Sequence, residues 1–265
     1  MEKNDILYYY CDIKTLYKIL EKKSILLTDM TKSNDADEFH FIFDLYKKYL
    51  YEKYGDLAKL PIDLNIKEFE KAKITVRPMA RCFTTKKDDL SMWRAYGDDG
   101  KGVCIGFNVE ALKKSINNKK IQGKNIELKK IIYIDKNDKN VLNELFKNFD
   151  DNFFVNNYNS LLEISLFHKN NSFEIEDEVR IGVNVYINKD KINNEFNLDF
   201  CADIGFFVRI PIEFSDISEI IIGPKCHSNK IKDILTTLKY FYEDSKEICY
   251  EDLAKKSNLS YRARI

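Results

Sequence analysis

Charge of one sign is missing from this sequence: 43 lysines and arginines face 43 aspartates and glutamates in 265 residues. A balanced total carries no field to draw the chain onto a polyanion, so neither nucleic acid nor an anionic membrane surface is indicated as a partner. Long apolar runs are missing too, and no stretch approaches the roughly 20 residues that span a bilayer. Met1-Glu2-Lys3-Asn4-Asp5 leads into no apolar segment of the kind that directs secretion. Histidine is scarce, with three residues at 40, 168 and 227, and the six cysteines form no CxxC pair. A Cys/His zinc centre therefore lacks its spacing, and no metal is expected. These absences together indicate a reduced, cytoplasmic protein. Arginine is rare as well: seven of the 43 basic residues, at positions 77, 81, 94, 180, 209, 262 and 264. In a chain that otherwise chooses lysine, an arginine marks a place where a planar, bidentate donor is needed.

What is present is enough apolar material, 44% of residues, to build a substantial core. The patterning predicts a strand over 6–11, a helix over 13–23 capped by Asp12, a strand over 24–28, and a helix over 36–54. A shorter helix is expected at 65–74. Beyond residue 107 the pattern gives a helix at 109–117, a loop at 118–125 and a strand at 127–134. One long helix or a helical pair covers 138–168. Strands follow at 178–187, 205–212 and 218–223, then a helix at 229–243 and a strand near 246–250. Strands and helices mix without βαβ alternation, and no linker or repeat divides the chain. The expected architecture is a single α+β domain over 1–265, with a mixed or antiparallel sheet flanked by helices.

The most informative stretch is 80–107, ARCFTTKKDDLSMWRAYGDDGKGVCIGF. It holds four of the nine glycines (97, 100, 102 and 106) and the single tryptophan, Trp93. It reads as a strand ending at Thr84-Thr85, a short helix capped by Asp88, a tight turn over 98–102 and a second strand from Val103 to Phe107. Gly97 suits the helix end because it accepts positive φ. Cys82 and Cys104 fall in apolar runs and read as buried thiols. The arrangement would bring Trp93, Arg94, Tyr96 and Asp98 to one edge of the sheet. Spaced i and i+3, Trp93 and Tyr96 are equally suited to a core or to a site.

A second polar constellation lies at 173–183, FEIEDEVRIGV. Read as a strand with alternating faces, it puts Glu174, Glu176, Glu178 and Arg180 on one side and Phe173, Ile175, Val179, Ile181 and Val183 on the other. Such a polar face is either solvated or the floor of a site bordered by Trp93 and Tyr96. Arg180 can hold one carboxylate in a bidentate pair and leave another for chemistry.

These segments together resemble an uncharacterised bacterial family, domain of unknown function 2971. The resemblance rests on Tyr8-Tyr9-Tyr10, Ser33-Asn34-Asp35 with Asp37, Cys82-Phe83-Thr84, Met92-Trp93 with Tyr96, Lys101-Gly102 and Ile105-Gly106-Phe107. It continues through Lys169, Phe173, Glu176, Glu178 and Arg180 to Ser260-Tyr261-Arg262. The family usually has an aromatic-Lys-aromatic triplet where Tyr8-Tyr9-Tyr10 stands, and a tryptophan in place of Phe173. The resemblance implies no activity.

Three functions are compatible with these residues. The first is an enzyme using NAD as substrate, similar to ADP-ribosyltransferases or NAD glycohydrolases, acting as a bacterial defence or toxin effector. Glu178 and Glu176 would be catalytic. Trp93, Tyr96, Tyr8, Arg81, Arg94, Arg180 and Arg262 would bind the small-molecule nucleotide, with Arg81 or Arg180 on phosphate. The second is a magnesium-dependent nuclease built on Asp35, Glu176 and Glu178. The third is a nucleotide-binding sensor without turnover. Arg262 is expected to fold back onto the domain.

Overall fold

A computed structural model of the chain describes residues 5–32, 36–58, 76–117, 119–121, 123–149, 158–187, 198–242 and 253–261. β1 (Ile6–Cys11) runs into α1 (Ile13–Lys22), whose Asp12 cap accepts the Thr15 amide. β2 (Ser24–Asp29) and α2 (Ala36–Tyr54) follow. The middle of the chain is β3 (Val76–Thr84), the short α3 (Leu90–Tyr96), β4 (Val103–Asn108) and α4 (Val109–Ile116). A two-residue hairpin, β5 (Lys120–Ile121) and β6 (Lys124–Asn125), stands where a loop is expected.

The strand expected over 127–134 is two: β7 (Glu127–Lys130) and β8 (Ile132–Ile134). They part at Ile131, whose amide donates to the Glu178 carbonyl. The helical region beyond is a pair, α5 (Lys139–Phe146) and α6 (Tyr158–Phe167). Then come β9 (His168–Asn170), β10 (Glu178–Tyr186), β11 (Leu198–Cys201), β12 (Gly205–Pro211) and β13 (Ile217–Ile222). α7 (Ser228–Tyr242) and β14 (Ala254–Lys256) complete the order. The helix expected at 65–74 and the strand expected near 246–250 lie outside the described residues.

Among the described residues, ten strands form one mixed sheet, so the chain is α+β as its pattern indicates. All pairings in it are antiparallel except β13 with β14. The sheet branches at β3. One edge of β3 pairs with β10 along its full length, from Val76 to Thr84. The other edge is shared, with β2 meeting Met79 and Ala80 and β1 meeting Thr84.

The two faces of the sheet differ. On one, Leu7, Phe83, Ile105, Phe107, Val179 and Ile181 join the buried sides of α1, α4 and α7 in the main core. On the other, two smaller apolar clusters are separated. Tyr8, Tyr10 and Cys104 pack with Met92 and Trp93 of α3, while Ala80 packs with Ile131, Leu166 and Phe167. Side chains directly opposite across paired strands share a face. The registers therefore align Glu219, Gly106, Tyr8, Thr84 and Glu178 in one row across β13, β4, β1, β3 and β10, on this second face.

Candidate polar site on the second sheet face

The stretch 173–178 does not run as a strand. Asn170 caps a 3-10 turn over Asn171–Glu176 by accepting the Ser172 amide, and Asp177 closes it in the left-handed region at φ 44°. The strand begins only at Glu178. Asparagine and aspartate tolerate these positions because their short polar side chains bond the local backbone. The consequence is that Glu174 and Ile175 do not take up alternating faces. Glu174 is exposed, and Ile175, expected in the core, is 62% exposed. Glu176 is instead carried back over the end of β3, where its carbonyl accepts the Thr84 hydroxyl at 2.6 Å. Thr85 ties the same turn through its amide to the Asp177 carbonyl and its hydroxyl to the Asp177 carboxylate.

The two glutamates still converge with Arg180. Arg180, 1% exposed, grips Glu178 from both ends of a fork, Nε to Oε1 at 2.5 Å and Nη2 to Oε2 at 3.1 Å. Its Nη1 donates to the Leu166 carbonyl at the end of α6. Lys169, also buried, reaches in from β9. Its Nζ lies 2.8 Å from Glu176 Oε2 and 3.4 Å from Glu178 Oε2, and 4.4 Å over the Phe173 ring. The Glu178 amide donates to the Tyr133 hydroxyl at 2.8 Å. Tyr96 donates its hydroxyl to Glu176 Oε1 at 2.6 Å. The result is a compact set of two cations and two carboxylates, with a tyrosine hydroxyl on each flank.

The electrostatics follow from burial and pairing. Burial pushes the Glu178 carboxyl up, but the Arg180 charge and its hydrogen bonds, with Lys169 adding to them, hold it below the ordinary range. Glu178 is thus fixed as an anion. Burial, then the hydrogen bond to Glu176, drives the Tyr96 hydroxyl up, so it stays a donor. Burial lifts Tyr133 to about 12.

The other predicted residues are placed as follows. Trp93 is core: 0% exposed, edge-on to Tyr10 at 4.9 Å, with its indole N–H on Asp88 at 2.8 Å. It does not border the polar site, and only Tyr96 of the pair reaches it, 46% exposed. Arg81 pairs in register with Ile181, on the main-core face, away from Arg180. It sits at the fork of the sheet and bonds both branches, the Tyr9 hydroxyl of β1 and the Leu26 carbonyl of β2, each at 2.6 Å. Arg94 lies with Tyr261, its Nε 3.2 Å from the hydroxyl. Tyr8 is on the correct face, but its hydroxyl donates to Glu219 at 2.8 Å, and Lys87 holds that carboxylate at 2.7 and 2.8 Å. Arg262 and Asp35 lie outside the described residues.

Three local readings are corrected. The cap of α3 is Asp89, which accepts the Ser91 and Met92 amides, and not Asp88. Gly97 has φ −98°, so its need is space: a Cβ there would stand 2.4 Å from Trp93 Cε3. Cys82 is half-buried and faces Arg180 across the strands, whereas Cys104 is buried as expected. The residues the sequence left unassigned to the site are Lys169 and Tyr133. Neither belongs to a periodic pattern, and each arrives through the parallel β8–β9 pair, Tyr133 opposite Lys169.

Among the described residues no group of three or more His, Cys, Asp or Glu side chains is arranged to hold a metal. No helix among them is long and apolar enough to cross a membrane. Residues 92–181 match the model of a family described as a protein of unknown function, DUF2971. That span opens at Met92 on α3 and closes at Ile181 on β10, so it takes in Tyr96, Tyr133, Lys169, Glu176, Glu178 and Arg180. The resemblance drawn from the sequence holds over this stretch. No curated protein and no solved structure matches the chain.

Proposed function

We propose that the chain acts on NAD at this face, as an ADP-ribosyltransferase-like or NAD-glycohydrolase-like enzyme. One observation carries the reading: Glu176, partly exposed beneath the half-exposed Tyr96 that bonds it, has its charge anchored by buried Lys169. Cleavage at the nicotinamide ribose develops an oxocarbenium ion, and a carboxylate fixed in advance beside it lowers the barrier. The geometry favours Glu176 for that role and shifts the emphasis away from Glu178. Both oxygens of Glu178 are on Arg180, so it serves the reaction by holding Lys169 and Arg180 in place. Tyr96 offers a ring face to the nicotinamide, and its hydroxyl orients Glu176. Trp93, Arg81 and Arg180 are too deep or too engaged to touch substrate in this reading.

The test is NAD consumption by purified protein, with and without Mg²⁺ and nucleic acid. Wild type should turn over. Glu176→Gln should lose a factor on the order of 10²–10⁴ in rate while remaining folded, with a lowered melting temperature because buried Lys169 loses its nearer partner. Absence of wild-type consumption would remove the enzymatic reading.

A nucleotide-binding sensor without turnover is the second reading. It is favoured by the completeness of the ion network, since both carboxylates already carry cations from within the fold. Calorimetric binding of NAD with no consumption would support it. The nuclease reading is not carried forward, because the Arg180 fork leaves Glu178 no free oxygen for Mg²⁺.

A further inference from the structure

Helix α3 carries Tyr96 to the site, and both of its ends are held by residues with left-handed backbone. Asp88 precedes it at φ 48°, and Asp98 and Asp99 follow it, each at φ 51°. Aspartate accepts this conformation more readily than most residues, still at a cost that neighbouring contacts must offset. At Asp88 and Asp99 the side chains are held by the segment 257–261, with Lys225 adding to the hold on Asp99. The Ser257 amide docks the segment on the Ile222 carbonyl at 2.8 Å, at the end of β13. Its hydroxyl then donates to Asp88 Oδ1 at 2.6 Å, and the Asn258 amide donates to Asp88 Oδ2 at 2.9 Å. Asp88 Oδ1 also accepts the Trp93 indole N–H, so one carboxylate joins the segment, the loop and the helix.

At the far end, Tyr261 donates to Asp99 Oδ1 at 2.7 Å and accepts from Arg94 Nε. Lys225 closes this second knot, its Nζ 2.7 Å from Asp99 Oδ2 and 3.7 Å over the Tyr261 ring. Leu259, between the two knots, packs against the cluster of Tyr8, Tyr10, Met92 and Trp93.

We propose that 257–261 is a strap that locks α3 as a lid over the polar site. With the strap in place, Trp93 is sealed and Tyr96 rests on Glu176. When the strap leaves, Asp88 and Asp99 relax from the left-handed region, α3 shifts, and Tyr96 comes off Glu176 and uncovers it. The proposal concerns regulation of the site discussed above and rests on that location, though not on its substrate. Ser257 and Tyr261 are positioning residues in it, acting on Glu176 only through α3.

The experiment uses the full chain with Tyr261→Phe alone and with Ser257→Ala added, and needs no ligand. Trp93 is the only tryptophan, so its fluorescence reports on the lid without ambiguity. Acrylamide quenching of Trp93 and amide exchange over 90–97 should each rise roughly 3–10-fold, as expected for losing one or two hydrogen bonds. Exchange over 103–108, in the adjacent buried strand, should stay unchanged. Unchanged quenching and exchange in both variants would overturn the proposal. So would an equal rise over 103–108, because that marks general destabilisation. If the double variant does not fold, Tyr261→Phe decides by the same comparison. These readouts do not involve NAD, so a failure of the strap and a failure of the NAD reading are told apart.

Discussion

At the scale of single residues, the defining feature is a carboxylate whose charge is useful only because two cations are buried with it. Removing one member of a buried pair leaves an uncompensated charge, typically at about 3–5 kcal/mol. Glu178→Gln should therefore destabilise the protein by that order, measured by denaturant unfolding. Glu174→Gln, on an exposed side chain, should stay within about 0.5 kcal/mol. The pH dependence has a definite sign. A carboxyl held below its ordinary value of 4.5 in the folded state adds stability above that value, and the contribution is lost as pH falls through the lowered one. Wild type should lose denaturation midpoint on acidification below pH 4.5, and Glu178→Gln should lack that component. That Glu178 and Arg180 share a face was legible in the sequence, because residues two apart on a strand point the same way; that Arg180 takes both oxygens of Glu178 and does not leave it free was not. Lys169 stood in the sequence only as part of the family resemblance, with no role at the site, since it enters from a different strand.

At the scale of elements, the expected strand over 173–183 and the observed 3-10 turn differ for a local reason. Alternation of polar and apolar residues is only a pattern, and Asn170 and Asp177 supply backbone bonds that compete with it. The glycine-dense turn was correctly located, and Gly100 within it does take positive φ, at 82°, but the need at Gly97 was misassigned. Gly97 and Gly102 are required for closeness and not for positive φ. A Cβ on Gly102 would lie 2.1 Å from the Cys11 carbonyl oxygen. That atom is backbone and cannot rotate away. Gly102→Ala should cost roughly 1–3 kcal/mol or more, seen as a lowered melting temperature. Moving β4 away from the end of β1 would be the structural response, detectable as faster amide exchange along both strands.

At the scale of the whole molecule, the branched sheet organises everything else. Because β1 and β2 diverge from one edge of β3, the chain gains a fork that Arg81 ties together, and a second face on which polar side chains can gather. Among the described residues the five cysteines are unpaired by any disulfide, and burial first of all pushes Cys11, Cys104 and Cys226 above the ordinary thiol range. Reductant should therefore leave the melting temperature unchanged, and a reductant-dependent fall in a thermal scan would show a cross-link that the fold does not use.

The sequence by itself determined the order of most elements, the α+β class, and the grouping of Glu178 with Arg180. These follow from periodicity and spacing, which are properties of neighbours along the chain. That Tyr96 borders the glutamates was expected from the sequence; whether Trp93 was core or site, which face Arg81 takes, and that Lys169 and Tyr133 meet at the two glutamates were decided only by tertiary structure. Each depends on how strands and helices distant in the chain are brought together, by register in the sheet, by the β8–β9 pair or, for Arg81, by the branch at β3. Register is fixed by contacts between residues tens of positions apart, and no local pattern encodes those.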